Sequence, residues 1–374
     1  MAIALLGHMS QLVRLALFSL LLASSAACQS SSPTERTQPA VRALDVRTVS
    51  HGSLALPNRA TSVKFAVIGD SGRGSPPQHE IAAQMTAYRA DFPYAFVLML
   101  GDNIYEGPAT REDYRLKFEE PYRRLLDQGV KFYASLGNHD DPHEVIYPLF
   151  NMDNERYYSF APPEDLLAKI ATQVEFFALD STNLDRTQLR WLDERLGKSD
   201  AEWKVCFFHH PLYTSGRYRG SARGFRLILE PLLVGHDVDA VFSGHEHIYQ
   251  RTELQSGIQY FVSGGAGSLR RGDATPASYV ARSFDTDYHF MLIEIERDAL
   301  HFQAISRTGE TIDAGTLYQD ARHAPPEASS GLYRLKEYQS QPASDHDSPA
   351  ATTERPVVIH EGHPTRRQDT AALR

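Results

Sequence analysis

Five short polar clusters each follow an apolar run: Gly69-Asp70-Ser71-Gly72, Gly101-Asp102-Asn103-Ile104-Tyr105, Gly137-Asn138-His139-Asp140, His209-His210-Pro211 and Gly244-His245-Glu246-His247. Their side chains suit hard or borderline cations. Asp70 and Asp102 offer carboxylates, Asn138 an amide oxygen, and His209, His245 and His247 imidazoles. A carboxylate such as Asp102 can bridge two metals. Bridged ions roughly 3.5–4 Å apart can grip a phosphoryl group and activate a hydroxide between them. Singly, each cluster has a plainer reading: Gly-Asp is usually a turn, and His-x-His alone is a metal site in a minority of cases. Five together, in this order, point to a two-metal site.

Such a set must be positioned by strands. Val63–Ile68, 95–100, 131–136, 174–179, Trp203–Phe208 and 239–242 read as short buried strands. Between them 78–92, 111–128, 185–196 and 225–234 have helical spacing, with Asp185 or Asn183 as the cap of the third. Past residue 242 the helices stop, and 258–262, 289–296 and 300–306 read as antiparallel strands, the last two joined at Arg297-Asp298. This order predicts an α/β fold, a four-layer α/β/β/α sandwich of two mixed β-sheets flanked by helices. Loops at the carboxyl ends of the strands form the crevice in such sheets. Gly264-Gly265-Ala266-Gly267 has no helix opening after it, so it reads as a tight turn near the rim rather than a phosphate cradle.

The chain has 374 residues, 42% hydrophobic and 23% charged, as in an ordinary globular enzyme. A net charge of −9 argues against nucleic acid as a partner, and an anionic substrate then needs a local positive site such as bound metal. Residues 1–28 read as a signal peptide: Arg14, an apolar run 15–23, then Ser24-Ser25-Ala26-Ala27-Cys28. Two readings stand for its end. Cys28 is lipidated and attaches the protein to a membrane, although Ser25 replaces the usual leucine, or cleavage near Ala27 is ordinary. Either makes the protein exported: periplasmic, an outer-membrane-anchored lipoprotein, or secreted. Residues 29–60 read as a tether, 61–320 as the catalytic domain, and 321–374 as a Pro/Ser-rich, largely disordered tail in which 331–338 could dock. Cys206, inside an apolar strand, reads as a buried inert thiol.

The five clusters resemble those of the calcineurin-like metallophosphoesterases, and within them the small single-domain purple acid phosphatases. Generic members carry a histidine ligand two residues after the first aspartate; here that position is Gly72. Purple acid phosphatases instead place a tyrosine three residues after the second aspartate, where this chain has Tyr105. The resemblance implies two metal ions. One, Fe(III), would be held by Asp70, Asp102, Tyr105 and His247; the other, Fe, Zn or Mn, by Asp102, Asn138, His209 and His245. It further implies an acid phosphatase that hydrolyses monoesters of phosphorylated small molecules by attack of metal-bound hydroxide. His139 and His210 are the expected catalytic histidines, although His210 has the alternative of only packing or hydrogen-bonding. Asn138 is an expected substrate contact, and Arg217 and Tyr218 either contact substrate or belong to a solvated charged loop. Two departures stand out. Cys206 replaces a common valine, and Tyr218 stands near the position of a histidine of the small mammalian-type enzymes. The alternatives are a phosphodiesterase, for cyclic nucleotides for example, on the same scaffold, or a surface binding protein that keeps the fold without activity.

Overall fold

A computed structural model of the chain describes residues 52–106, 108–162 and 172–319. The signal, Cys28 and the whole of the tail, 321–374, including 331–338, lie outside the described residues. The strands are β1 (Val63–Ile68), β2 (Phe96–Met99), β3 (Lys131–Ala134), β4 (Tyr158–Phe160), β5 (Val174–Ala178), β6 (Trp203–Phe208), β7 (Ala240–Ser243), β8 (Tyr249–Thr252), β9 (Gln259–Ser263), β10 (Val280–Phe284), β11 (His289–Glu296), β12 (Ala299–Ser306) and β13 (Thr311–Tyr318). One sheet runs β13-β12-β11-β1-β2-β3, the other β10-β8-β9-β7-β6-β5-β4. β1, β2 and β3 are mutually parallel, as are β5, β6, β7 and β9.

The sheets meet through aromatic rings. Phe65 of β1 and Phe96 of β2 both lie edge-on to Phe176 of β5, at 5.2 and 5.3 Å, and Phe65 also meets Phe242 of β7 at 6.1 Å. Alternate residues of the second sheet face the other way. Phe177, Leu179, Cys206 and Phe208 pack with Leu192, Leu196, Leu229 and Leu233. Those leucines come from helices Arg186–Gly197 and Arg219–Gly235. Because both faces are covered, β5 and β6 are apolar except for Glu175 and Lys204 at their second positions. Across the first sheet, helix Pro76–Asp91 buries Ile81, Met85 and Tyr88, with Tyr88 edge-on to Phe290 of β11 at 6.0 Å. The result is the expected four-layer sandwich. Cys206 is fully buried, and burial pushes its thiol pKa up.

Several elements differ from expectation. The run 111–128 is helix Arg111–Tyr114, a π turn Arg115–Glu119 and helix Glu120–Asp127. Pro121 lacks an N–H, so the regular ladder breaks there. The Glu120 N–H bonds back to the Arg115 carbonyl, and the Lys117 carbonyl accepts from Gln78 at 2.6 Å. The helix expected over 225–234 begins at Arg219 instead; its first turns are mostly exposed and carry no apolar period. β9 is not purely antiparallel, since it pairs parallel with β7 and antiparallel with β8. β8, β4, β10 and β13 gave no sequence signal. β8 buries Gln250 and Arg251, the latter paired with Asp313 at 2.8 Å, and β4, β10 and β13 are half-buried edges. Within the stretch read as a tether, residues 52–60 dock on the first sheet. The N–H of Ala55 reaches Gln303 at 2.9 Å and that of Asn58 reaches Glu294 at 2.7 Å. No described helix is long and apolar enough to cross a membrane.

Candidate metal centre

The five clusters leave the carboxyl ends of β1, β2 and β3 in one sheet and of β6 and β7 in the other. The chain must turn sharply there. Asp70, Asp102 and His245 take left-handed conformations, at φ 55°, 53° and 67°. Such conformations cost on the order of 1–3 kcal/mol each, and they persist where the surroundings hold them. Here the turns are cross-braced. Asp70 Oδ2 accepts the His245 N–H at 2.8 Å across the sheets, and Asp102 Oδ1 accepts the His139 N–H at 3.0 Å.

In one half of the centre Asp70, Asp102, Tyr105 and His247 are all buried. Tyr105 Oη lies 3.2 Å from Asp70 Oδ1 and 3.2 Å from His247 Nε2, and those two atoms are themselves 3.2 Å apart. Gly72 explains how the tyrosine arrives. Its N–H bonds the Asp102 carbonyl at 3.2 Å, and its carbonyl accepts the Tyr105 N–H at 2.9 Å. A Cβ at Gly72 would sit 1.8 Å from the Asn103 carbonyl oxygen. A side chain at 72 and this path for the Tyr105 loop exclude one another, so the missing histidine and the added tyrosine are one structural event.

In the other half, His209 Nδ1 lies 2.9 Å from the Leu100 carbonyl. A carbonyl can only accept, so the ring proton is on Nδ1 and Nε2 presents a lone pair. That lone pair faces Asn138 Oδ1 at 3.0 Å, His245 Nδ1 at 3.1 Å and Asp102 Oδ1 at 3.4 Å. His209 is buried, His245 half-buried and Asn138 exposed.

These donors fit metal ions. Ligand bonds of about 2.0–2.2 Å set neighbouring donors about 3.0–3.5 Å apart around a shared ion. The spacings just given run from 3.0 to 3.4 Å. The electrostatics agree. Burial, with the charge of Asp102 beside it, raises the Asp70 carboxyl, and burial with both carboxylates raises the Tyr105 phenol. Burial pushes His245 down to about 2, helped by His209 and His210, and His247 down to about 4. Burial also acts to raise Asp102, but His209, the His139 N–H and Tyr105 outweigh it and hold that carboxylate low. Acids driven toward neutrality around unprotonated imidazoles lack positive charge, and cations supply it.

The remaining expected residues are placed unevenly. His139 is exposed, its ring 4.8 Å from that of Tyr105. His210 joins His209 and His245 in one group of potential ligand nitrogens. Ser181 Oγ accepts the His210 N–H at 2.9 Å and lies 2.9 Å from Nδ1. Tyr218 sets its ring 4.3 Å from His245. Arg217 is exposed, and only its backbone N–H is tied in, to Glu246 at 3.1 Å.

Sequence reasoning gave no role to three residues that matter. Buried Glu246, between the candidate ligands His245 and His247, also accepts the Tyr218 N–H at 2.6 Å and so holds the loop carrying that ring. Asp140 accepts N–H bonds from Gly137, Asn103 and Ile104 at 2.7, 2.6 and 3.0 Å, tying two motif loops together. Arg73 lies 3.6 Å over the Tyr105 ring. The position of Glu246 between two histidines was the available signal for the first; the other two needed the fold. The Gly264–Gly267 turn is buried behind the ligands rather than at the rim. A Cβ on Gly264 would meet the Glu246 carbonyl at 2.2 Å and Asp70 Oδ2 at 2.7 Å.

Residues 63–249, half of the chain, match the family model for calcineurin-like phosphoesterases. Purple acid phosphatase 4 of Arabidopsis thaliana is 29% identical over 294 residues, which cover 68% of this chain and 82% of the relative. Tartrate-resistant acid phosphatase type 5 of Rattus norvegicus is 24% identical over 298 residues, covering 68% and 89%. Among solved structures, GAP50, described as the anchor in the inner membrane complex of Plasmodium, shares the fold with a TM-score of 0.61 at 19% identity, covering 69% of this chain and 89% of that one. The chain belongs to the calcineurin-like phosphoesterases, as a purple-acid-phosphatase-like member with the donor set of a two-metal phosphoesterase.

Proposed function

We propose that the protein is an exported acid phosphatase that hydrolyses phosphate monoesters. Fe(III) would occupy the half formed by Asp70, Asp102, Tyr105 and His247, and Fe, Zn or Mn the half formed by Asp102, Asn138, His209 and His245. The observation that carries this reading is the Tyr105 hydroxyl 3.2 Å from both Asp70 and His247, on a loop that only Gly72 admits. A phenolate donor favours a ferric ion. Two such cations, when bound, bind phosphoryl oxygens and activate a water nucleophile, and a ferric ion does so below neutral pH.

The chain's own residues do the rest. Asp102 lies near donors of both halves and would be shared by both ions when bound. His139, exposed beside Tyr105, faces incoming substrate and gives a proton to the leaving oxygen. The Ser181 hydroxyl accepts the His210 backbone N–H and lies 2.9 Å from Nδ1. In the tautomer in which it donates to Nδ1, the His210 proton sits on Nε2, where it can donate to a substrate oxygen. Asn138 and Tyr218 border the open half and orient the ester. Export rests on residues 1–28, a basic residue followed by a short apolar run, with Cys28 as the attachment point if lipid is added.

The test is a visible absorption spectrum of the aerobically purified mature protein. A broad band that disappears when iron is removed supports tyrosinate-to-ferric charge transfer. A colourless protein with iron confirmed present rules that ligation out and favours a divalent-metal phosphoesterase, for which diesters are then assayed first.

A further inference from the structure

We propose that Arg270 binds the third non-bridging phosphoryl oxygen of the substrate, and so makes the site select monoester dianions over diesters. The inference rests on the phosphoesterase reading above and assigns a group that it leaves unassigned. The backbone N–H of Arg270 bonds the His247 carbonyl at 3.2 Å, which fixes the residue beside the turn carrying His245 and His247. Its guanidinium lies 5.2 Å from the Tyr218 ring, whose centroid is 4.3 Å from that of His245.

The guanidinium is short of partners. Nη2 reaches the Tyr218 hydroxyl only at 3.5 Å. Nη1 is closed off from solvent with no hydrogen-bond partner among the described residues, and no described carboxylate forms an ion pair with Arg270. The carboxylate between His245 and His247 in the chain is Glu246. That carboxylate is already engaged with the Arg217 and Tyr218 N–H groups and the Thr214 hydroxyl. A half-buried guanidinium without an anion, beside the two histidines of the candidate donor set, is matched to an anion that arrives with the substrate.

The chemistry selects the anion. A phosphate monoester has three non-bridging oxygens and a charge near −2. If the ions take two of those oxygens, one remains for an arginine, whose planar fork suits phosphate. A diester has two such oxygens and a single charge, so it leaves the guanidinium nothing to bind.

The experiment uses the full metal-loaded protein, with metal content checked in each variant. Inorganic phosphate is titrated calorimetrically, and p-nitrophenyl phosphate and bis(p-nitrophenyl) phosphate are assayed. Arg270→Ala is expected to weaken phosphate binding and to lower monoester kcat/KM, each by about 10²-fold. Diester kcat/KM is expected to change by less than about threefold, and Arg270→Lys to fall between wild type and Ala in phosphate affinity, since it keeps charge but not the fork. Unchanged phosphate affinity in Arg270→Ala overturns the proposal. So does an equal loss on both esters, which marks a structural role through Tyr218. A wild-type protein that hydrolyses neither ester overturns the phosphatase reading alone, because the phosphate titration still decides the role of Arg270.

Discussion

The two halves of the metal centre are built differently. Around Tyr105 every donor is shut away: Asp70 is 0%, Asp102 1%, Tyr105 1% and His247 6% exposed. Around His209 one donor, Asn138, stands in solvent and another, His245, is half-buried. The loops differ too. The Tyr105 carbonyl accepts from Lys117 at 2.6 Å, and the neighbouring Asn103 and Ile104 N–H groups are fixed by Asp140. A closed, cross-braced half is suited to holding an ion tightly by charge and geometry. An open half is suited to exchanging an ion and admitting a ligand. Chelation sharpens this comparison: a short treatment of the loaded protein should remove one ion per chain, with visible absorption retained. Simultaneous loss of both ions would erase the proposed difference.

The largest expected effect breaks both halves at once. Asp102 sits 3.4 Å from His209 and also belongs with Asp70 and His247. Asp102→Ala should lower turnover by about 10³-fold or more, the scale of several kcal/mol of lost charge stabilisation. Metal analysis should find both sites depleted; wild-type turnover would rule out a shared ligand. His139→Ala comes next. It should lower kcat by about 10²-fold with metal content intact, the usual range for a lost acid–base group. Depletion of metal would instead move His139 into the ligand set.

Tyr105→Phe addresses the closed half alone. It should abolish the visible band and weaken that ion while the open half still loads, as metal analysis would report. Gly72→Ala attacks the same half through the backbone. The added carbon meets the Asn103 carbonyl at 1.8 Å, so the Tyr105 loop must move. Thermal unfolding should show a loss of about 1–3 kcal/mol, typical of overpacking, together with a shifted or weakened band. A band unchanged in position and intensity would separate Gly72 from the tyrosine ligation.

The same contrast governs what the sequence disclosed. The candidate donors that the fold brings together were legible because each stands where an apolar run stops, and because Gly72 and Tyr105 report on one another. β1, β6 and β11 were legible because burial makes them predominantly apolar, with charged residues only at scattered positions. β8 was not, since its buried Gln250 and Arg251 are satisfied by distant partners, the Ser215 N–H and Asp313. The early start of helix Arg219–Gly235 was silent because its first turns are mostly exposed. Asp140, Glu246 and Arg270 act through contacts between loops far apart in the chain, and residue type alone carries no such information.

The smallest expected effect concerns Arg217, which sequence reasoning placed among the substrate contacts. Its side chain is exposed, and the tie to the centre runs through its backbone N–H to Glu246, a bond that any residue except proline can make. Arg217→Ala should therefore leave monoester kcat/KM within about threefold, as is usual for exposed charges screened by solvent. Glu246→Gln is the contrasting change. It keeps the shape but removes the charge that accepts from Arg217, Tyr218 and Thr214 together. It should cost more than Arg217→Ala, in KM before kcat, because what loosens is the loop under Tyr218 rather than the ions. The reverse order, with Arg217→Ala the more damaging, would mean that the exposed guanidinium closes over bound substrate and that the open half of the centre is completed only in the complex.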